Sequence, residues 1–269
     1  MPKAILLKNK TTPKDPYLEN FVSNGYSADF VPLLDHIHME KAEIIAFLKT
    51  DYFLHKTLAF IITSQRAVEM LNECMSILKH TDPDITQIIY NKPVYTVGPA
   101  TYRILADAGF MDLRGGDKAG NGCILAQIIL NDDIYTGIED SDKHITFFTG
   151  ETRRDIIPKC LLSNNFQLYE KIVYKTLPRD DIVTRFKSAI DNIDQSQRSS
   201  SWVIFFSPQG TEEIVSYLQR TKDQFNIASI GPTTEKYLLG KNLKPKVVAP
   251  KPEPVSLLLS IQKNGLNTR

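Results

Sequence analysis

The stretch AFIITSQRAVEMLNECM, residues 59–75, begins as an apolar run, is interrupted by hydroxyl residues ending at Ser64, and continues with apolar residues at helical spacing. The stretch WVIFFSPQGTEEIVSYL, residues 202–218, follows the same order around Ser207. A short apolar run bounded by turn residues is typical of a buried strand, and the spacing that follows it is typical of an amphipathic helix. The chain is therefore predicted to contain a strand, a hydroxyl-bearing turn and a helix in succession, twice.

The same alternation of strand-like and helix-like segments runs along the whole chain. Besides the runs at 59–63 and 202–206, the strand-like segments are AILL (4–7), FVPLL (30–34), VYTV (94–97), ITFF (145–148), KIVYKT (171–176) and IASI (227–230). Strands that alternate with helical patterns are typical of parallel sheets covered by helices. The sequence therefore predicts an α/β fold with mostly parallel sheets.

Two longer modules recur along the chain in the order A–B–A–B. Module A covers residues 4–34 and again 145–177, which share their length, order and turn residues. Within module B, residues 97–110 match 229–243, since each has Gly-Pro at a strand end and threonine at a helix start. Two similar domains are therefore expected. Either they follow one another with a break near residue 140, or the first module A joins the last module B.

The composition is that of an ordinary globular protein. The chain has 269 residues, of which 42% are hydrophobic and 23% charged, and at this length single cores divide into domains. With a net charge of +1, no overall field attracts nucleic acid or a membrane surface, and no apolar run approaches the roughly 18 residues of a membrane span. The three separated cysteines favour a reducing compartment. We therefore expect a cytoplasmic protein without a nucleic-acid or membrane partner.

Hydroxyl residues that follow strands are the main candidates for ligand binding. At a helix N-cap a hydroxyl stands beside unpaired backbone N–H groups and the positive end of the helix dipole. Strand ends of this kind line the ligand crevice of open α/β sheets, so an anionic ligand is favoured. The candidate hydroxyls are Thr63, Ser64, Thr101, Thr149, Ser207, Thr233 and Thr234. Basic residues near strand ends, suited to carboxylates or phosphates, are Lys8, Arg66, Arg153 and Arg154.

Signatures of several other chemistries are missing from the sequence. GGDKAGNG, residues 115–122, has the glycines of a phosphate loop without the Lys-Ser/Thr of a Walker motif. His36 and His38 share one face of a strand without further metal ligands at suitable spacing, and no GxSxG elbow occurs. The sequence thus predicts neither a cofactor nor a metal. A non-catalytic two-domain protein that binds a small anion stays open as an alternative to an enzyme, as does, with less support, a nucleotide-dependent transferase.

Eight short motifs, in order along nearly the whole chain, resemble the uroporphyrinogen-III synthase family in its eukaryotic form. They are ILLK with DPY (5–8, 15–17), TSQRAVE (63–69), VGPAT (97–101), GNG (120–122), FTGETRRDIIPK (148–159), VYKT (173–176), FFSPQG (205–210) and IGPTT (230–234). The resemblance implies a monomeric, cofactor-free lyase of haem biosynthesis. Such an enzyme dehydrates and cyclises hydroxymethylbilane to uroporphyrinogen III, with inversion of the terminal pyrrole ring.

The resemblance also implies how the chain is divided. It predicts two flavodoxin-like parallel-sheet domains joined by a two-stranded antiparallel β-ladder. The first domain would combine residues 1–33 with 178–269, the ladder would consist of 34–39 and 171–177, and the second domain would span 40–170. Both domains would face one cleft.

Site residues are implied by the matching motifs, position by position. Tyr174 matches the tyrosine of the family's VYxT segment, which implies that it assists loss of the substrate hydroxyl. Substrate-binding residues implied in the same way are Lys8, Tyr17, Thr63, Ser64, Arg66, Thr101, Arg154, Ser207, Thr233 and Thr234.

Overall fold

The computed structural model describes residues 1–11, 14–221 and 225–266. The strands in these ranges are β1 (Lys3–Leu7), β2 (Ser27–Phe30), β3 (Leu34–His38), β4 (Ala59–Ile62), β5 (Pro93–Val97), β6 (Asp112–Gly116), β7 (His144–Gly150), β8 (Gln167–Pro178), β9 (Trp202–Phe205), β10 (Asn226–Ile230) and β11 (Val247–Ala249). The α-helices are α1 (Pro16–Ser23), α2 (Lys41–Leu48), α3 (Gln65–Thr81), α4 (Pro83–Tyr90), α5 (Pro99–Asp107), α6 (Gly122–Leu130), α7 (Ile156–Leu162), α8 (Ile182–Asp191), α9 (Gln195–Arg198), α10 (Glu212–Thr221), α11 (Gly231–Gly240) and α12 (Pro254–Leu266). None of the helices in the described ranges is long and apolar enough to cross a membrane.

The chain divides into two compact units. Unit 1 consists of Met1–Asp35 and Leu177–Arg269, and unit 2 consists of His36–Thr176. The chain therefore passes from one unit to the other at two places, once within β3 and once within β8.

Unit 1 contains a parallel sheet whose strand order, in the part of the chain that is described, is β11-β10-β9-β1-β2. Side chains of β1 alternate between two apolar cores, with Ile5 and Leu7 in one and Ala4 and Leu6 in the other. Helices cover both faces of this sheet, which is why its central strands are unbroken apolar runs.

The sheet of unit 2 has the order β3-β8-β7-β4-β5-β6 among the described strands. From β8 to β6 the pairing is parallel. β3 runs antiparallel to β8, since the Met39 N–H donates to the Val173 carbonyl at 3.0 Å while His36 Nδ1 lies 3.0 Å from Thr176 Oγ1. The expected fold class, two parallel-sheet domains with an antiparallel strand pair, is confirmed.

The two sheets follow one plan. In unit 1 we number the strands from 1 to 5 in the order module A then module B, which gives β1, β2, β9, β10 and β11. Across the sheet these five strands then stand in the order 2-1-3-4-5. In unit 2, β7, β8, β4, β5 and β6 give the same order, which is that of flavodoxin-like folds. Strands of the first module A thus pair with strands of the last module B.

The run FVPLL, residues 30–34, is not the single strand that its composition predicts. β2 ends before Pro32, and β3 begins after it. Proline has no backbone N–H to donate to a neighbouring strand, so pairing stops there. Val31 and Leu33 are nevertheless buried in the core of unit 1, which explains their apolar character.

Candidate active site

A cavity of about 640 Å³ lies within unit 2, and we call it the unit 2 cavity. Its walls come from the residues after β4, the start of α6, the end of β7 with the segment that follows, and Tyr174 of β8. After β4 the chain continues to β5 on one side and later returns to β7 on the other, so this is the point where the strand order reverses. Open α/β sheets bind their ligands at such points, and the volume suits a small molecule.

Ser64 reaches the unit 2 cavity because a buried strand ends directly before it and α3 begins directly after it. The residue is the helix N-cap with extended dihedral angles, and its carbonyl accepts from the N–H groups of Ala67 and Val68. Its hydroxyl makes no capping hydrogen bond, and neither it nor the Thr63 hydroxyl has a hydrogen-bond partner among the described residues. Both hydroxyls are therefore available to a ligand.

Tyr174 lies on β8 next to the buried Val173. Its partly buried ring packs against the same apolar core and also lines the unit 2 cavity. The ring meets His36 edge to face, with 6.2 Å between centroids. Within the described part of the chain, the Tyr174 hydroxyl has no hydrogen-bond partner. A proton donor in the cavity is thus left unengaged by the fold.

Two neighbouring arginines line the unit 2 cavity, and they differ in whether their charge is paired with a carboxylate. The Arg153 guanidinium donates to the carboxylates of Glu170 and Asp155, which raise the pKa of the arginine. Arg154 is exposed, and the described residues provide no carboxylate or hydrogen-bond acceptor for it. The cavity therefore contains a positive charge that none of the described residues neutralises, which suits an anionic ligand.

The start of α6 also borders the unit 2 cavity. Asn121 is the N-cap, and its side-chain oxygen accepts from the N–H groups of Cys123 and Ile124, each at 3.0 Å. Asn121 and Cys123 line the cavity but were not among the predicted site residues. A signal was present in GNG followed by an apolar helix, because asparagine is a preferred N-cap.

Two other sequence candidates in unit 2, Arg66 and Thr101, lie outside the unit 2 cavity. Arg66 pairs with Glu69 on α3 at 3.2 Å, and Thr101 is the third residue of α5 and is buried. Neither is among the described residues that line the unit 2 cavity. Thr149 does line it, but as part of β7 and not as a helix N-cap, because α7 begins only after Asp155.

Lys8 and Tyr17 of unit 1 lie together at the carboxyl end of β1. The Lys8 ammonium is 2.6 Å from the buried carboxylate of Asp15 and 5.0 Å from the centroid of the Tyr17 ring. Tyr17 packs edge to face against Phe206, which follows β9. The charge of Lys8 is thus already neutralised within unit 1.

Ser207 also follows β9, but it is not the N-cap that its sequence predicts. α10 begins at Glu212, five residues later. Between them the chain turns through Gly210, whose φ is +75°, and Thr211 donates its hydroxyl proton to the Pro208 carbonyl at 2.6 Å. Because proline fixes its own φ and glycine allows a left-handed turn, a turn forms where a helix start was predicted.

Thr233 and Thr234 belong to the first turn of α11. Thr233 is exposed, whereas Thr234 is buried and its hydroxyl lies 3.5 Å from the Phe206 carbonyl. The N-cap of this helix is Ile230, so neither threonine occupies that position.

No group of three His, Cys, Asp or Glu side chains that could hold a metal ion occurs in the described ranges. His38 lies 3.4 Å from the carboxylate of Glu73, and His36 contacts Thr176.

Asp15 makes the stability of the fold sensitive to acid. Burial favours its neutral form, but hydrogen bonds from Lys8 and from the N–H groups of Thr11 and Leu18 outweigh burial and lower its pKa from 3.8 to about 2. A pKa that is lower in the folded state stabilises the fold above the unfolded value, and this contribution is lost as the pH falls through the folded value.

We therefore expect the ionised Asp15 carboxylate to contribute about 2 kcal/mol of stability near neutral pH, and this contribution to disappear toward about pH 2. The measurement is the free energy of unfolding of the parent chain and of Asp15→Asn between about pH 6 and about pH 2. The difference in the free energy of unfolding between the parent chain and Asp15→Asn should become smaller as the pH falls. A difference that is constant across this pH range would contradict the assignment.

The chain is similar to known proteins over nearly its whole length. A family model described as uroporphyrinogen-III synthase HemD matches residues 15–258. The chain is 41% identical over 265 residues to uroporphyrinogen-III synthase of Saccharomyces cerevisiae, covering 97% of this chain and 95% of that one. Identity to uroporphyrinogen-III synthase of Schizosaccharomyces pombe is 33% over 262 residues, covering 97% and 96%. The crystal structure of uroporphyrinogen-III synthetase from Helicobacter pylori has the same fold, with a TM-score of 0.55, 17% identity and coverage of 100% of both chains.

Proposed function

The chain belongs to the uroporphyrinogen-III synthase family, and from that premise we propose that the unit 2 cavity is its catalytic centre. The protein is an enzyme of tetrapyrrole biosynthesis. It is a lyase that dehydrates and cyclises hydroxymethylbilane to uroporphyrinogen III with inversion of the terminal pyrrole ring. One observation supports the location above all. The hydroxyls of Thr63, Ser64 and Tyr174 and the guanidinium of Arg154 border one cavity, and the described protein leaves all four without polar partners.

Tyr174 is the residue we assign to loss of the substrate hydroxyl. The phenol donates its proton to that hydroxyl, the carbon–oxygen bond breaks, and water leaves. Ring closure later releases a proton from the pyrrole carbon, so the phenol can be restored without any other reactant. A positioned proton donor contributes about 10²–10⁴-fold to a rate.

Positioning of the flexible substrate must supply the rest of the catalysis. Hydroxymethylbilane closes unaided to the isomer without inversion, so the enzyme has to direct attack to the substituted carbon of the last ring. Its acetate and propionate arms are anions. In the proposed site they are held by Arg154, by the hydroxyls of Thr63 and Ser64, and by N-terminal N–H groups of α3, whose N-cap side chain leaves them uncapped.

Further substrate contacts are proposed because their motifs match those of the family. These residues are Lys8, Tyr17, Arg66, Thr101, Ser207, Thr233 and Thr234. Lys8 would act while it is paired with Asp15, as a hydrogen-bond donor more than as a free charge.

We further propose a monomeric cytoplasmic enzyme that uses no cofactor and has no nucleic-acid or membrane partner. The net charge of +1 and three separated cysteines support this setting. Dehydration with ring closure changes no net oxidation state, so the reaction itself calls for no redox cofactor.

The proposed function is tested by following the product isomers. The chain is incubated with freshly generated hydroxymethylbilane, the product is oxidised, and the type I and type III isomers are resolved. We expect type III in excess over the spontaneous type I product. Type I alone would support the alternative, a two-domain protein that binds a small anion without turnover.

Ser64→Ala is expected to lower kcat/KM about 3- to 10-fold, which corresponds to the loss of one neutral hydrogen bond. Stability should change by less than the roughly 1 kcal/mol typical of a lost N-cap, because the Ser64 hydroxyl makes no capping bond. Steady-state kinetics and denaturant unfolding measure the two effects. Ser76→Ala on the same helix is the control, since that exposed hydroxyl bonds only to the Asn72 carbonyl. Unchanged kinetics in Ser64→Ala would remove its hydroxyl from the site.

A further inference from the structure

Gly150 is the last residue of β7, and the end of the Tyr174 ring lies against its Cα. A Cβ atom added to Gly150 would lie 2.6 Å from Tyr174 Cζ and 2.8 Å from its hydroxyl oxygen. Real Cβ atoms do not approach other heavy atoms this closely. The phenol can therefore occupy its place only because residue 150 has no side chain.

The glycine is not required there for its backbone freedom. Gly150 does not belong to the described glycines with positive φ, so an alanine could adopt the same dihedral angles. In contrast, Gly98 has a φ of +77° and open space around the position of a Cβ. At residue 150 glycine is needed because a side chain would occupy the space that the Tyr174 ring fills.

The backbone on both sides of this contact is fixed. β7 and β8 pair up to Thr149 with Ile172, then the register shifts so that Gly150 pairs with Tyr174. The N–H of Glu151 donates to the Tyr174 carbonyl at 3.0 Å. Such bulges re-aim a side chain near functional sites, and here Tyr174 cannot slide along its strand to avoid an obstacle.

The ring is also confined on a second side. His36 meets it edge to face at 6.2 Å between centroids, and His36 Nδ1 is 3.0 Å from Thr176 Oγ1. We therefore expect a methyl group at residue 150 to turn the ring about its side-chain bonds and to move the hydroxyl by a distance on the order of 1 Å. A displacement of this size can reduce a rate by about 10²-fold.

We propose that Gly150 is a positioning residue, which sets where the Tyr174 hydroxyl lies in the unit 2 cavity. The inference rests on the proposed role of Tyr174 as proton donor. It assigns to residue 150 an effect on kcat that acts only through that hydroxyl.

The test is a double-variant cycle of Gly150→Ala and Tyr174→Phe, measured as kcat and KM for type III product. Gly150→Ala alone should lower kcat about 10²-fold and change KM less than about 3-fold. In the Tyr174→Phe background, the same change should cost less than about 3-fold, because no hydroxyl is left to misplace. Gly240→Ala is the control, since a Cβ there meets open space and its φ is not positive.

A near-native kcat for Gly150→Ala, or an equal loss in both backgrounds, would overturn the inference. If Tyr174→Phe is itself fully active, the proposed role of Tyr174 fails instead, so the two failures are distinguishable. Should Gly150→Ala unfold, its stability is compared with that of Gly150→Ala/Tyr174→Ala. Recovery of the fold in the double variant supports the contact, and an equally unfolded double variant contradicts it.

Discussion

Tyr174→Phe is expected to lower kcat for uroporphyrinogen III formation by about 10²-fold. Phenols are weak acids, so the effect should lie at the lower end of the range for general acid catalysis. Folding should be unaffected, because the hydroxyl has no hydrogen-bond partner among the described residues and the ring itself is kept. The measurement is initial rates of type III formation, corrected for spontaneous type I closure, together with denaturant unfolding.

Tyr169→Phe is the matched control for this experiment. Tyr169 is an exposed residue of the same strand and stacks on Phe47 outside the unit 2 cavity. Its loss of a hydroxyl should leave kcat unchanged. Near-native turnover in Tyr174→Phe, or an equal loss in Tyr169→Phe, would remove the catalytic role assigned to Tyr174.

Arg154→Met is expected to lower kcat/KM about 10- to 100-fold, mostly through KM. A hydrogen bond to a charged group is worth about 1.5–3 kcal/mol when it is lost, and the substrate arms are carboxylates. Stability should stay within about 0.5 kcal/mol of the parent chain, because the described structure gives Arg154 no ion-pair partner to lose.

Arg103→Met serves as the control for Arg154, since Arg103 is an exposed arginine of α5 outside the lining of the unit 2 cavity. Steady-state kinetics at two salt concentrations separate a specific contact from general attraction, because salt screens long-range attraction most. Equal losses of kcat/KM in the two variants would show that only overall charge matters.

Much of the fold follows from the sequence because its central strands are buried on both faces. The apolar runs of β1, β4 and β9 predict strands, and so does ITFF within β7, where the polar Thr146 is buried as well. β6 was missed because DLRGG is polar and stands at the edge of its sheet, where one neighbour suffices. β11 was missed because it has only three residues. Both strands form because they pair with a neighbouring strand, and this pairing cannot be seen in the local sequence pattern.

The sequence predicts which residue types form the candidate site, but it predicts less well which of them are already paired with other side chains. Thr63 and Ser64 could be placed at a strand end from local pattern alone, and Tyr174 was found through its motif. Which of two adjacent arginines is free could not be predicted, because Arg153 is held by Glu170 from a neighbouring strand. Whether an arginine is ion-paired within the fold or available to a ligand depends on residues that are distant in the sequence.

The most direct test is a crystal structure of the chain with its product, uroporphyrinogen III. We predict a carboxylate of the product within hydrogen-bond distance of the Arg154 guanidinium, and the inverted pyrrole ring beside the Tyr174 hydroxyl. Product bound at full occupancy without contact to either residue would contradict the placement of the catalytic centre in the unit 2 cavity.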